Sequence, residues 1–291
     1  MTAERKISYY KREDPLFPEA LRKYDRMPRG IYVLGHLPDP AKPSAAIVGA
    51  RSCSGYGRRE ALRFAGALAE CGVQIISGMA AGIDSYAHTG ALQKGGETFA
   101  VLGCGADICY PAGNRAVYEQ IIEKGGILSE FEPGSEPLSW HFPVRNRIIS
   151  ALADVILVVE ARRRSGALIT VDYALEQGKS VYAVPGRAGD PLSEGCNTLI
   201  AQGAGIASSP DAILQELGIL PPSGGKSGQV IPDSWGRDEK NVWRHLECCG
   251  KSLDQLLAET HLPLARLTNI LMAFCLSGHA EEVTQGFYRQ A

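Results

Sequence analysis

AAIVGARSCSGYG, Ala45 to Gly57, decides the fold. An unbroken apolar run ends at Gly49, a polar turn follows, and a helical pattern starts near Gly57. Such a run, with no apolar–polar alternation, suits a strand covered on both faces. The same strand–turn–helix design returns in QIISGMAAGID (Gln74 to Asp84), FAVLGCGADICYP (Phe99 to Pro111) and VILVVEARRRSGALIT (Val155 to Thr170). Strands are predicted at 45–49, 73–77, 97–102, 126–130, 154–160 and 180–184. Helices are predicted at 57–71, 84–94, 113–124, 143–152, 166–178 and 210–217. Strict alternation of the two implies an α/β fold with a doubly wound parallel sheet. Helices beginning at the carboxyl edge of that sheet turn free N–H groups and positive dipole ends into one crevice, a setting that favours phosphate.

Around this core the chain divides into four parts. Residues 1–40 form a short N-terminal extension whose prolines (Pro15, Pro18, Pro28, Pro38, Pro40) forbid a long helix, with an edge strand at Ile31 to Leu34. Residues 41–217 carry the α/β domain. Residues 218–236, rich in Gly, Pro and Ser, read as a flexible linker. There Lys226-Ser227 resembles the end of a phosphate-binding loop, but the position of its first glycine holds Leu220. Residues 237–291 show two or three helical patterns and a short tail; three helices and a terminal hairpin would make a winged helix. That segment holds six Lys/Arg and seven Asp/Glu, and its third helix carries only Arg266, so it reads as a protein-contacting or structural module rather than a basic DNA reader.

Composition bounds the function. A net charge of -2 restricts any DNA site to a local patch. No apolar run is long enough to span a membrane, and the charged start lacks a signal peptide's apolar stretch, so a cytoplasmic location is expected. The eight cysteines include no C-x-x-C pair and read as reduced thiols. Cys104 and Cys109 lack a second ligand pair at zinc spacing, and no metal is expected.

The chemistry-bearing residues collect at the predicted carboxyl edge. Gly49, Arg51 and Ser52 follow the first strand without the spacing of a dinucleotide fingerprint, and no acidic residue ends the next strand to hold a ribose. Two readings of Arg51 stand side by side: a fork onto a phosphate, or a structural pair with a carboxylate on a nearby loop. Asp84 is expected to cap the following helix, which takes precedence over an acid–base pair with His88. Phe142, Arg145, Asn146 and Arg147, just after Trp140, interleave cations with aromatic rings, a pattern that suits a single-stranded nucleic acid. Arg162-Arg163-Arg164 precede Ser165-Gly166 at a helix start, while Arg187 and Asn197 are expected on the same rim. Single mononucleotides need fewer cations than this; a chain of phosphates uses them all. Among carboxylates, Asp84, Asp107, Glu130, Glu160 and Asp190 are candidates to face the crevice. No nucleophile elbow or cysteine–histidine pair is evident, so no catalytic residue is assigned.

The ordered motifs resemble the DNA-processing protein A family (DprA, also called Smf). They are Val48-Gly49-Ala50-Arg51 with Ser54-Gly55-Tyr56-Gly57, Ser77-Gly78-Met79-Ala80-Ala81-Gly82-Ile83-Asp84 with Ala87-His88, and Val101-Leu102-Gly103-Cys104-Gly105-Ala106-Asp107 with Tyr110-Pro111. Phe142-Pro143 with Arg145-Asn146-Arg147, Ser165-Gly166-Ala167-Leu168-Ile169-Thr170, and Val184-Pro185-Gly186 with Gly195-Cys196-Asn197 complete the set. The resemblance implies an extended Rossmann-like domain that binds single-stranded DNA in a basic pocket, without catalysis or a nucleotide cofactor. It implies homodimerisation through the late part of that domain and a role in natural transformation, protecting incoming DNA and loading the RecA recombinase onto it. The family's DNA-contacting arginine falls on Arg51, and Arg51→Ala, or Arg145→Ala with Arg147→Ala, is expected to abolish oligonucleotide binding with the fold intact. Many members carry a helical N-terminal domain where this chain has only some forty residues. The alternative is a nucleoside-phosphate hydrolase of the cytokinin-activating class, whose P-G-G-x-G-T segment is missing here.

Overall fold

The computed structural model describes residues 6–219, 235–246, 251–284 and 286–290. Most of the expected linker, with Lys226 and Ser227, and the pair Cys248 and Cys249 lie outside the described residues. The chain splits into two compact units, Met1–Ser223 and Gly224–Ala291.

In the first unit the strands are β1 (Ser8–Lys11), β2 (Gly30–Gly35), β3 (Ser44–Val48), β4 (Gln74–Ser77), β5 (Thr98–Leu102), β6 (Gly126–Ser129), β7 (Val155–Val158), β8 (Ser180–Ala183) and β9 (Gly205–Ile206). The helices are α1 (Glu19–Arg22), α2 (Gly55–Glu70), α3 (Ile83–Gln93), α4 (Arg115–Lys124), α5 (His141–Leu152), α6 (Gly166–Glu176), α7 (Glu194–Ala201) and α8 (Pro210–Glu216). One sheet joins all of these strands in the order β1-β2-β6-β5-β4-β3-β7-β8-β9. From β6 to β9 every pairing is parallel; β2 runs antiparallel to β6, and β1 antiparallel to β2.

Two layers of helix cover the sheet. Alternate side chains of β3 point to opposite faces. Ala46 and Val48 join α5 and α6 residues such as Ile149 and Val171, while Ala45 and Ile47 join α2 and α3 residues such as Phe64 and Ile83. All five β3 side chains are buried, the four apolar ones as their unbroken run demanded.

The structure refines two local expectations. Ile31–Leu34 is not at the edge: β2 pairs with β6 on one side and β1 on the other, with Tyr9 against Tyr32 at 4.4 Å between ring centroids. The prolines around it fall outside β1 and β2, where no ladder hydrogen bond is lost. A helix, α7, occupies the Gly195-Cys196-Asn197 segment. Gly195 sits there because a Cβ would lie 2.7 Å from the Ala161 carbonyl oxygen, so it marks a close approach of the helix to the segment after β7.

The second unit holds α9 (Arg237–His245), β10 (Lys251–Ser252), α10 (Leu253–Thr260), α11 (Leu264–Leu276), β11 (Ala280–Thr284) and β12 (Phe287–Gln290). Its small antiparallel sheet has the order β10-β12-β11, and its core gathers Val242, Trp243, Leu256, Leu267, Leu271 and Phe274. Ser252 caps α10, accepting from the Gln255 N–H at 3.2 Å. Among the described residues no helix is long and apolar enough to cross a membrane.

Candidate nucleic-acid interface

The chain leaves β3 toward β4, β5 and β6, then returns to place β7 on the other side of β3. Neighbouring strands whose connections diverge leave a crevice at their carboxyl ends. There α2 packs on one face of the sheet and α6 on the other. A cleft of about 340 Å³ opens at that point. Its walls bring together Gly49, Arg51 and Ser52 from the β3 turn, Phe142, Arg145 and Asn146 from α5, and Arg162, Arg164, Ser165 and Gly166 from the start of α6. Four arginines face one carboxylate, Asp84, among the described residues that line it. A protein of net charge -2 therefore concentrates positive charge here.

The helix starts around the cleft are not equivalent, which corrects the picture of uniformly free N–H groups. The α2 start already holds an anion. Ser54 donates its N–H to Glu160 Oε2 at 2.9 Å and its hydroxyl to Glu160 Oε1 at 2.5 Å, and Glu160 is 2% exposed. That carboxylate satisfies the helix dipole from within. At α3 the buried Asp84 lies inside the first turn, and Gly82 holds the N-cap position without a side-chain bond. Asp84 is not a cap; its Oδ2 accepts the Gly78 N–H at 3.1 Å. Burial pushes its carboxyl above the usual range, against the pull of Arg145 and of backbone N–H groups. By contrast α6 has no acidic residue in its first turn, and Ser165 caps it by accepting from the Ala167 N–H at 3.3 Å. Its N-terminus is open to an external anion.

Arg51 resolves in favour of the unpaired reading. Its side chain is exposed, makes no ion pair among the described residues, and places its guanidinium carbon 5.4 Å from the Phe142 ring centroid. An aromatic face orients a cation without neutralising it. Arg162 and Arg164 are also exposed and free of ion pairs among the described residues, whereas Arg163 lies 3.8 Å from Glu194. Gly49 is pinned by packing, since a Cβ there would come 2.7 Å from Ile83 Cγ1.

The Arg145-Asn146-Arg147 segment divides. Arg145 is 3% exposed and forms the cleft floor; it donates to the Gly78 carbonyl at 2.8 Å, to the Val101 carbonyl, and to Asn146 Oδ1 at 3.2 Å. Burial brings its guanidinium down to about 10, opposed by Asp84's attraction and helped by Arg51's repulsion. Arg147 does not reach the cleft. It points away on the same helix and forms a two-pronged pair with Glu130 at 3.0 and 2.6 Å. Residues two apart on a helix cannot share a face. Replacing Arg145 and Arg147 together therefore attacks the fold, contrary to the expectation from sequence.

Two rim residues also lie outside the cleft lining. Asn197 braces the loop at Gly186, accepting its N–H and donating to its carbonyl, both at 3.1 Å. Arg187 is exposed but sits on that neighbouring loop. Of the candidate carboxylates, Asp107 accepts from the Gly134 N–H and Asp190 from the Leu192 N–H, and neither lines the cleft. His88 is buried against Thr98 Oγ1 at 2.7 Å and makes no bond to Asp84. Of the three-arginine run, Arg162 and Arg164 line the cleft and Arg163 does not.

Known proteins resemble this chain in sequence and in fold. Residues 8–218 match the family model for DNA recombination-mediator protein A. DNA processing protein DprA of Streptococcus pneumoniae is 41% identical over 203 residues, covering 70% of this chain and 72% of that protein. Protein Smf of Escherichia coli is 43% identical over 206 residues, covering 70% of this chain and 55% of that protein. Protein Smf of Synechocystis is covered to 54%, so the chain spans about half the length of these two relatives. The X-ray structure of DprA from Streptococcus pneumoniae superposes with a TM-score of 0.69 at 40% identity, over 73% of this chain and 75% of that one. DNA processing protein A from Helicobacter pylori, described with a unique single-stranded DNA binding mode, gives a TM-score of 0.65 at 29% identity, over 75% of this chain and 98% of that one.

Proposed function

The chain belongs to the DNA recombination-mediator protein A family, and on that premise we propose that it binds single-stranded DNA in the cleft between β3 and β7 without altering it covalently. One observation carries the reading. Arg51, Arg162 and Arg164 converge on the cleft with no ion pair among the described residues, beside the open N-terminus of α6. Cations left unneutralised in the folded protein are held for a ligand's phosphates. Ser52, Asn146, Ser165 and Gly166 add donors or close backbone approach, and Arg145 keeps the floor in shape. Arg187 is a candidate for phosphates leaving the cleft.

Asp84, the one carboxylate among the described lining residues, is committed to the Gly78 N–H, which supports a binding role over hydrolysis. In this reading the protein shields incoming single strands during natural transformation and loads the RecA recombinase onto them, acting as a homodimer through the late part of the first unit. The second unit, three helices followed by a hairpin, fits a winged helix that contacts protein.

The test is a fluorescence titration of labelled single- and double-stranded oligonucleotides at two salt concentrations. Single strands bind more tightly, and the log affinity falls by about 0.7 per log unit of salt for each phosphate neutralised. Absence of binding would overturn the reading, and release of free base from nucleoside monophosphates would replace it with a hydrolase.

A further inference from the structure

Three side chains form a stack that begins in the cleft and ends in solvent. The Arg51 guanidinium lies over Phe142 at 5.4 Å, and Phe142 stacks on Tyr110 at 5.5 Å between centroids with 26° between the planes. Arg51 and Phe142 line the cleft, whereas Tyr110 lies one ring further out and is 43% exposed. Phe142 is half-buried and already touches both neighbours, so it holds the stack together rather than receiving a base itself. The open π-surface is that of Tyr110.

Trp140 makes the contrast. It is more exposed, at 60%, but its ring neighbours are Phe131 and His141, and neither lines the cleft. Exposure alone does not mark a base platform; continuity with the cation that holds the phosphate does. Nucleobases stack on aromatic rings whatever their identity, so such a platform adds affinity without sequence preference.

We propose that Tyr110 is a stacking subsite for one nucleobase of a single strand whose backbone passes Arg51. The proposal rests on the DNA-binding reading above. It extends the track beyond the cleft, along the loop that precedes α4.

The experiment measures labelled oligothymidylate binding at fixed salt for the full chain and for Tyr110→Ala, Tyr110→Leu, Tyr110→Phe, Trp140→Ala and Arg51→Ala. Loss of one stacked base weakens binding about 5- to 150-fold, the range that corresponds to about 1–3 kcal/mol. Tyr110→Ala and Tyr110→Leu show that loss, the leucine variant keeping apolar bulk against Phe142. Tyr110→Phe stays within about twofold of wild type, and the salt slope is unchanged in all three because no phosphate contact is removed. A series of oligonucleotides with a single abasic nucleotide supplies the base-specific readout. One position weakens wild-type binding, and that position becomes silent in Tyr110→Ala. Wild-type affinity in Tyr110→Ala, equal losses in Trp140→Ala, or an abasic profile that Tyr110→Ala does not change would each overturn the subsite while Arg51→Ala still reports on the cleft. A wild-type chain that binds no oligonucleotide overturns the DNA-binding reading itself, and this one with it.

Discussion

Arg51 rests on the ring of Phe142, 5.4 Å from its centroid, and no carboxylate among the described residues pairs with it. The ring fixes the side chain at the cleft mouth and leaves its charge for a ligand. Arg51→Ala therefore lowers oligonucleotide affinity and reduces the salt slope by about 0.7. Phe142→Leu frees the guanidinium without removing it, so affinity drops about two- to fivefold, matching about 0.5–1 kcal/mol of cation–π attraction, with a nearly unchanged slope. Titrations at several salt concentrations separate the two.

Arg145 behaves differently although it lines the same cleft. Its replacement by alanine removes the positive charge beside buried Asp84 and strips the Gly78 and Val101 carbonyls of a donor. The expected cost is about 3–5 kcal/mol of stability, read from the urea midpoint. Lost DNA binding by this variant tracks lost fold, whereas Arg51→Ala unfolds like wild type.

Glu160 is the built-in anion of α2. Glu160→Ala orphans the Ser54 N–H at the helix start and costs about 1–3 kcal/mol in urea denaturation. Glu160→Gln keeps one acceptor oxygen and loses less. Because Glu160 is not part of the cleft wall, oligonucleotide affinity of the folded variants does not fall.

Arg162 and Arg164 are expected to act together beside the open α6 start. The double alanine variant loses about 1.4 from the salt slope if each meets one phosphate. Arg163→Ala, whose guanidinium faces Glu194, changes the slope least. Equal effects from all three would mean a diffuse charge effect rather than defined contacts.

Acid sensitivity is expected from His88. Burial, with a smaller push from Arg145, lowers its imidazole from 6.5 to about 3, and Nε2 has no partner. Between those values the unfolded chain takes up a proton that the folded one refuses. This contribution is present above about pH 6.5 and fades as pH falls toward 3. Asp84 acts in the opposite sense, since its raised value favours the protonated, folded form as pH drops. Urea midpoints between pH 7 and pH 4 fall more steeply for wild type than for His88→Gln.

Much of the site was readable before folding. The unbroken apolar runs and their glycine-rich turns placed β3 through β8 to within a residue or two, because strands buried on both faces tolerate few polar side chains. The Arg51 turn, Phe142 and the arginine run were visible as cations and rings in suspicious places. The N-terminal strand pair was harder, since β1 (Ser8–Lys11) reads Ser-Tyr-Tyr-Lys, with no two-residue period, and gains its pairing only from β2.

Sequence by itself determined the layered α/β architecture and the supply of positive charge at the strand ends, since both follow from local periodicity and residue type. Only the tertiary structure decided which charges remain available. Arg145 and Arg147 are two residues apart, yet one is spent on buried carbonyls beneath the cleft and the other on Glu130, while Arg51 is left to an aromatic ring. An ion pair or a hydrogen bond depends on what the fold brings within about 3 Å. That proximity joins residues distant along the chain, and no local pattern records it.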